Sequence, residues 1–166
     1  MDFKILRSIE CQTDGKKIPV HFEELRVSKE NNALTTYGRM LVNEQLPMNL
    51  EYEISITRCN LDSSGCIFFH KVSFPKICEK VEAKTSVAYE IARGIFPRPH
   101  CPISAGTYEI KNNSTFLLNQ FILLPVDGFL WQTKHIFYEK KNLKRVRLLA
   151  CIEFELIAKR VRVQVS

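Results

Sequence analysis

Six cysteines carry the most reactive side chains of this sequence, and such thiols can form disulfides, bind a metal or stay reduced. Cys59 and Cys66 flank the turn-forming run Asp-Ser-Ser-Gly at 62–65, which can bring two strand ends together. We therefore pair Cys59 with Cys66. The remaining cysteines are then paired as Cys78–Cys101 and Cys11–Cys151. An even number of cysteines in a modest, strand-rich sequence favours an oxidised framework and a secretory or lysosome-like lumen.

Metal binding and reduced thiols are the two rival interpretations of these cysteines. No Cys-x-x-Cys motif occurs, and the four histidines do not follow the spacing of Cys/His zinc ligands. These histidines are His21, His70, His100 and His135. We expect structural disulfides, with no bound metal and no cofactor.

Two overlapping N-glycosylation motifs begin at Asn112 and Asn113, and they agree with a secretory route that would oxidise the thiols. The segment 1–7 lacks the uninterrupted apolar run of a signal peptide, so we expect that a signal was removed before this sequence begins. No stretch approaches the roughly 20 apolar residues that a transmembrane helix needs. The sequence thus predicts a secreted, extracellular protein, with the lysosomal lumen as the alternative.

Two pairs of glutamates, Glu51/Glu53 and Glu153/Glu155, have a spacing that places both carboxylates on one face of a strand. Glycosidases use such a pair of carboxylates. Here both pairs occupy the polar side of amphipathic strands, where solvated surface carboxylates are the ordinary explanation. Motifs of serine hydrolases, zinc peptidases and nucleotide-binding enzymes do not occur. We expect no catalytic residues and no enzymatic activity.

Part of the net charge of +6 is concentrated in two basic runs. They comprise Lys140, Lys141, Lys144, Arg145 and Arg147, and then Lys159, Arg160 and Arg162. Such runs indicate either a solvated strand face or an attraction to anionic lipid headgroups, which would allow transient contact with a membrane surface. Because no nucleic-acid-binding motif accompanies the charge, we do not expect nucleic acid as a partner.

Strands must position most of these residues, because alternation of apolar and polar residues dominates the sequence. Leu50, Tyr52, Ile54 and Ile56 alternate with polar residues and predict a half-buried strand. The clearest alternation covers 146–156. Its predicted inward set is Val146, Leu148, Ala150, Ile152, Phe154 and Leu156, and its outward set is Arg145, Arg147, Glu153 and Glu155. Further strands are expected at 20–27, 34–42, 107–110, 116–124, 129–138 and 161–165.

One segment, 76–92, has helical spacing of its apolar residues and predicts one helix or two short turns. Strands at regular spacing with a single helical insertion indicate a mainly β protein, an antiparallel sandwich or cup. A chain of 166 residues is expected to form a single domain over residues 1–166.

The run Phe129-Leu130-Trp131 places three bulky apolar side chains directly after a predicted turn at 125–128. At such a strand entrance we expect at least one of them to be partly exposed. Two interpretations stay open for this run. It packs in the core, or it contacts a ligand or a membrane interface.

Several of these motifs, in their order and spacing, resemble the ganglioside activator protein family, the lipid-binding cofactors of lysosomal hexosaminidase. The resemblance covers most of the chain. Its motifs are Cys59 and Cys66, then Phe69-His70 and Cys78, then the run Cys-Pro-Ile-x-x-Gly-Thr-Tyr at 101–108, and finally Leu149-Ala150-Cys151-Ile152. The family's order of cysteines supports the disulfide pairing given above.

Pro99 marks a departure from this family, which has a cysteine of a fourth disulfide at that position. The loop that this bridge holds is therefore expected to be built differently. The shortened framework is more similar to the insect branch of the family, the chemosensory B-type proteins of taste sensilla, which are associated with hydrocarbon or lipid-like contact pheromones. The resemblance implies a β-cup that encloses an apolar cavity, with mobile apolar loops at its mouth.

The implied ligand is an acyl or hydrocarbon chain, whose binding needs an apolar pocket and few polar contacts. We place Phe129, Leu130 and Trp131 at the mouth of that pocket. The candidate lipid-binding residues are together Phe129, Leu130, Trp131, Phe68, Phe96, Phe121, Phe137 and Phe154.

The sequence therefore predicts a secreted, non-enzymatic carrier of a lipid or contact pheromone. A sphingolipid activator that presents a glycolipid to a lysosomal hydrolase is the alternative, and a recognition module associated with a receptor is a third hypothesis. A carrier would retain a bound lipid, whereas an activator would accelerate a glycosidase on a membrane-embedded substrate.

Overall fold

Two antiparallel sheets form the computed structural model, which describes residues 2–12, 15, 17–30, 33–112 and 128–159. In chain order the elements within these ranges are β1 (Asp2–Glu10), β2 (Val20–Glu30), β3 (Ala33–Val42), β4 (Leu50–Cys59), β5 (Ile67–Pro75), α1 (Ile77–Lys80), α2 (Val87–Ala92), β6 (Ile95–Phe96), β7 (Gly106–Asn112), β8 (Leu130–Lys141) and β9 (Lys144–Lys159). The first sheet has the strand order β1-β9-β8-β4-β5, and the second has the order β2-β3-β7-β6.

This architecture confirms the predicted mainly β class with a short helical insertion. The insertion contains two short helices, α1 and α2. The sequence pattern does not predict β1, β5 and β6. In β5 the burial does not alternate, because this edge strand exposes residues on both faces. The strands predicted at 116–124 and 161–165 lie outside the described residues.

Strand β4, which lies between β8 and β5, packs its apolar residues in one cluster with residues of α1, α2, β8 and β9. Leu50, Tyr52, Ile54 and Ile56 are all buried, as their alternation predicts. The Tyr52 ring stacks on Phe137 of β8, with 4.6 Å between the ring centres. Full burial of a large apolar side chain typically contributes about 1.5–3 kcal/mol. This strand therefore supplies a large part of the core.

Two β-bulges break the alternation predicted for β9. Its pairing with β8 shifts register after Phe137 and again after Glu139, which leaves Leu149 and Val146 as the extra residues of β9. Leu149 is turned inward and fully buried, whereas Val146 is 52% exposed, so its predicted inward placement is wrong. Of the other inward residues Ala150, Ile152 and Leu156 are buried, while Leu148 and Phe154 are half-buried. In the outward set Arg145 and Arg147 are exposed, while Glu153 and Glu155 are half-buried.

All six cysteines form disulfides, and the predicted pairing is confirmed. The bridges are Cys11–Cys151, Cys59–Cys66 and Cys78–Cys101. The first spans 140 positions of the chain and ties the end of β1 to β9, and the second closes the β4–β5 hairpin over 7 positions. The third joins α1 to the segment before β7. Three disulfides in a chain of this size indicate an oxidising compartment.

The two sheets meet along their edge strands β1 and β2. Ser8 Oγ donates a hydrogen bond to Leu25 O (3.0 Å), and the Glu10 carboxylate accepts one from Phe22 N and lies 3.3 Å from His21 Nδ1. Elsewhere the facing surfaces pack through buried apolar side chains. None of the three disulfides joins a strand of one sheet to a strand of the other.

Candidate functional site

A small apolar cavity of about 60 Å³ lies between the two sheets. Both sheets, α1 and two connecting segments contribute only apolar residues to its wall. The lining residues are Val20, Phe22, Met40, Leu46, Leu50, Ile77, Ile103, Phe137, Leu149 and Ala150. A wall of this kind fits an acyl or hydrocarbon chain, because such a chain has no polar group to satisfy.

Strand pleating and one bulge explain why these side chains converge. Val20 and Phe22 lie two positions apart on β2 and therefore point to the same side of the second sheet, and Met40 of β3 lies directly opposite Phe22. Consecutive strand residues normally point to opposite faces. The bulge in β9 lets the consecutive residues Leu149 and Ala150 both reach the wall of the cavity.

The cavity is much smaller than the roughly 300–1,000 Å³ of typical ligand pockets. A long chain must therefore displace side chains between the sheets in order to enter. The lining residues that are only half-buried are Phe22, Met40, Ile103 and Phe137. Methionine is unbranched and adapts readily to a changed neighbour, so Met40 is a side chain that can yield at low cost.

The predicted mouth residues lie at the start of β8, away from this cavity. Leu130 is buried and Trp131 is 0% exposed, with its ring edge-on to Phe69 at 5.2 Å between ring centres. Phe129 is half-buried under the Arg58 guanidinium, whose carbon lies 4.4 Å from the ring centre. The expectation that at least one of the three is partly exposed holds for Phe129, whereas the inner face of β8 turns the Trp131 indole into the core. Lipid contact by this run stays a prediction.

The other aromatic candidates are spread over the fold. Of those within the described ranges, only Phe137 lines the cavity. Phe154 is half-buried and meets the edge of the His135 ring at 5.2 Å. Phe68 and Phe96 are exposed on β5 and β6. The structure therefore does not bring the candidate aromatics together into one site.

Two of the predicted site residues cannot be placed. Phe121 and the glycosylation acceptor Asn113 lie outside the described residues. The other acceptor, Asn112, is the last residue of β7. Glycosylation at these positions stays a prediction.

A buried polar chain crosses the inner face of the first sheet. The Tyr52 hydroxyl is hydrogen-bonded to His135 Nδ1 (2.6 Å), and His135 Nε2 is hydrogen-bonded to Thr133 Oγ1 (3.0 Å). These bonds satisfy both ring nitrogens of a neutral imidazole. Burial lowers the pKa of His135 from 6.5 to about 4 and raises the pKa of Tyr52 far above its ordinary value. Both groups are therefore neutral near pH 7, and neither lines the cavity.

The glutamate pair of β4 is not the solvated surface pair that its alternation predicts. Glu51 and Glu53 are each 4% exposed. Glu51 accepts hydrogen bonds from Lys140 Nζ and Arg145 Nε, both at 2.7 Å, and Arg145 also reaches Glu53, which lies 3.3 Å from Lys71 Nζ. Burial would raise the pKa of Glu51, but the hydrogen bonds from Lys140 and Arg145 outweigh it and lower that pKa. A carboxylate whose pKa is lowered, as that of Glu51 is, is a poor base for proton transfer.

Most of the first basic run is paired within the fold. Its ion pairs are Lys140–Glu51, Lys141–Glu139, Arg145–Glu51, Arg145–Glu53 and Arg147–Glu44. Within the described part of the chain, no ion pair involves Lys144. The second basic run begins at Lys159, the last residue of β9, and otherwise lies outside the described residues.

Of the cavity wall, only Phe137 was predicted as a lipid-binding residue, and the buried polar chain was not predicted, although part of the signal was present. Val20 and Phe22 have the spacing of one strand face, and so do Thr133, His135 and Phe137. Reading these positions as inward residues would have added Val20 and Phe22 to the predicted wall and Thr133 and His135 to the predicted buried residues. The bulge that turns Leu149 inward leaves no comparable trace in the pattern.

Within the described ranges, no three His, Cys, Asp or Glu side chains cluster as metal ligands would. No helix in those ranges has the length and apolar character needed to cross a bilayer. Neither the comparison with protein-family models nor the search of curated proteins found a match.

Proposed function

We propose that this protein is a secreted, non-enzymatic lipid-binding protein that takes up an acyl or hydrocarbon chain between its two sheets. The observation that supports this proposal is the cavity wall, to which both sheets contribute only apolar residues. Each methylene removed from water contributes about 0.8 kcal/mol. A chain that occupies and widens this space therefore binds without a polar contact.

Uptake requires the sheets to separate locally, because about 60 Å³ accommodates only a short part of a long chain. At the cavity the two sheets are held together by side-chain packing. None of the three disulfides links a strand of one sheet to a strand of the other. Opening loses the contacts of the displaced side chains. Burial of the ligand's methylenes offsets this loss, and the offset grows with the length of the chain.

Secretion is the localisation that we infer, with glycosylation at Asn112 or Asn113 along the route. The disulfides support an oxidising compartment. The buried, neutral His135 favours the extracellular space over an acidic lysosomal lumen, because its protonation would destabilise the folded protein. A contact-pheromone or lipid carrier in chemosensation is the role that agrees with the resemblance described above.

Lipid analysis of the protein purified from its secretory source tests the proposal. Native mass spectrometry and extraction should find a retained lipid with a long apolar chain. A fluorescent fatty acid offered to purified protein should also bind. Ala150→Leu fills the cavity wall and should weaken this binding, whereas Ala88→Leu enlarges a buried residue outside the cavity wall and serves as the matched control.

The proposal is overturned if no lipid is retained and no probe binds, or if both alanine variants bind the probe equally. A second outcome would replace it with the alternative: the protein carries no lipid of its own but accelerates a glycosidase on a membrane-embedded glycolipid. A receptor-associated module would show neither property.

A further inference from the structure

The hairpin between β8 and β9 presents an apolar side chain that the fold does not use. Leu143 is 91% exposed and has a φ of +64°, next to Asn142 at +49°. Two consecutive positive φ angles in a two-residue hairpin loop are typical of a type I′ turn, where Asn-Gly is preferred and a branched side chain is unfavourable. Leucine at this position therefore destabilises the turn, and its exposed side chain makes no compensating contribution to the core.

Cations flank this leucine on both sides. Lys141 and Lys144 pair directly across the turn and are exposed. Lys141 lies 3.2 Å from Glu139, whereas no ion pair involves Lys144 within the described residues. An apolar side chain between lysines is typical of surfaces that bind anionic lipid, because the apolar group enters the acyl boundary while the ammonium groups meet the headgroup phosphates.

More exposed apolar surface lies at the base of the same hairpin. Val146 is the second bulge residue of β9 and is exposed. Met48 is also exposed and precedes Asn49, whose carbonyl oxygen accepts a hydrogen bond from Lys140 N (2.9 Å). The hairpin therefore carries cations and apolar side chains together.

This hairpin lies at one end of the first sheet, which forms one wall of the cavity. Phe137 lines the cavity and lies four positions before Lys141, roughly 13 Å along the strand. The β4–β5 hairpin also exposes an apolar residue, Leu61, but it contains no lysine or arginine between Cys59 and Ile67. It lies at the opposite end of the sheet, because β4 and β8 run antiparallel.

We propose that the β8–β9 hairpin, through Leu143, Lys141 and Lys144, docks the protein on an anionic lipid surface. This surface is the source from which the bound chain is drawn, and in that respect the inference rests on the proposed function. Docking itself does not require a filled cavity. The charge of the flanking lysines selects an anionic membrane as the partner over a neutral one.

Vesicle co-sedimentation tests the docking step. The protein should bind vesicles that contain phosphatidylserine and should not bind vesicles of phosphatidylcholine alone, and added salt should weaken the binding. Leu143→Gly should reduce the affinity about tenfold while the melting temperature stays the same or rises, because glycine is preferred at this turn position. Lys144→Gln should reduce the affinity about fivefold, and Leu143→Phe should retain it.

Leu61→Asn at the opposite hairpin is the matched control and should bind as the wild-type protein does. The proposal is overturned if the wild-type protein ignores anionic vesicles, if Leu143→Gly binds them normally, or if Leu61→Asn weakens binding as much as Leu143→Gly. Uptake of a fluorescent fatty acid from solution, without vesicles, separates the two proposals. Leu143→Gly should retain this uptake, and a wild-type protein that docks but takes up no probe would overturn only the lipid-binding function.

Discussion

Acid should destabilise this protein through His135, and a neutral side chain at that position should remove the effect. The imidazole lies on β8 with Ile54 and Ile152 directly opposite on the neighbouring strands. Its hydrogen-bond partners, Tyr52 and Thr133, are uncharged hydroxyls. Within the described residues no carboxylate is bonded to the ring, so an added proton would leave a buried charge without a counterion.

The size of this effect follows from the two pKa values of His135. The pKa is 6.5 in the unfolded chain and about 4 in the folded protein. Between these values the unfolded chain binds a proton that the folded protein excludes, so the free energy of unfolding falls as the pH falls. The total loss is roughly 3 kcal/mol, of which about 2 kcal/mol is present at pH 5. Below about pH 4 the folded protein is protonated as well, and the loss levels off.

Urea unfolding between pH 7 and pH 5 measures this loss directly. Trp131 is the single tryptophan and is fully buried, so its fluorescence reports global unfolding. His135→Gln should flatten the pH dependence by about 2 kcal/mol over this range, whatever its stability at pH 7. Glu51 and Glu155 also have lowered pKa values, but their unfolded value of 4.5 places their contribution at lower pH. His70→Gln, at an exposed position, is the control and should keep the wild-type slope.

The reasoning is refuted if His135→Gln retains the full wild-type pH dependence, or if His70→Gln flattens it equally. A variant that fails to fold does not end the test. In that case an NMR titration of the wild-type imidazole decides it, and a His135 pKa near 6.5 in the folded protein contradicts the burial argument.

Three further predictions concern a cavity residue, a tightly packed glycine and a buried ion pair. Leu149→Ala should lower the free energy of unfolding by about 2–5 kcal/mol, because it enlarges the cavity at a fully buried position. Val146 is exposed, so Val146→Ala should change the free energy of unfolding by less than about 1 kcal/mol in the same urea titration. Gly38→Ala should destabilise the protein by about 1–3 kcal/mol, because the added Cβ would lie 2.9 Å from a carbonyl oxygen of β2. Gly106→Ala is the control, since its Cβ meets no atom closer than 4.0 Å, and equal losses of stability in thermal melting would contradict the prediction. Arg145→Met should lower the free energy of unfolding by about 3 kcal/mol, because it removes a cation that pairs with buried carboxylates. Replacing Glu51 and Glu53 with glutamine in the same variant should recover part of this loss, and no recovery in the triple variant would count against the ion-pair explanation.

Local features of the chain were enough to predict the strand class and the shortest disulfide. The alternation from Leu50 to Ile56 predicts one buried face, and the structure buries each of its apolar residues. Cys59 and Cys66 lie across a turn of the same hairpin. Residues this close along the chain stay close in space however the rest of the molecule is arranged, so the pattern alone is informative.

The sequence led us to expect an apolar cavity but did not indicate most of the residues that would line it. The resemblance implies an apolar cavity, and the sequence places its mouth at Phe129, Leu130 and Trp131. An apolar cavity of the described structure lies near Phe137, six positions beyond Trp131 on β8, and lipid contact by the run 129–131 stays a prediction. Alternation identifies which face of a strand is apolar. It does not show where the facing sheet packs loosely, because a gap depends on side chains from both sheets.

Contacts between distant strands determined whether the polar residues and the bulge residues are buried or exposed. Glu51 reads as a solvated carboxylate on its own strand, but Arg145, 94 positions away, lies over it and buries it. Val146 was predicted to point inward and is exposed, and Leu149 was not in the predicted inward set although a bulge buries it. A strand's own pattern reports the preference of each face for water. Burial depends on the neighbours that distant strands bring to that face, and no local pattern contains them.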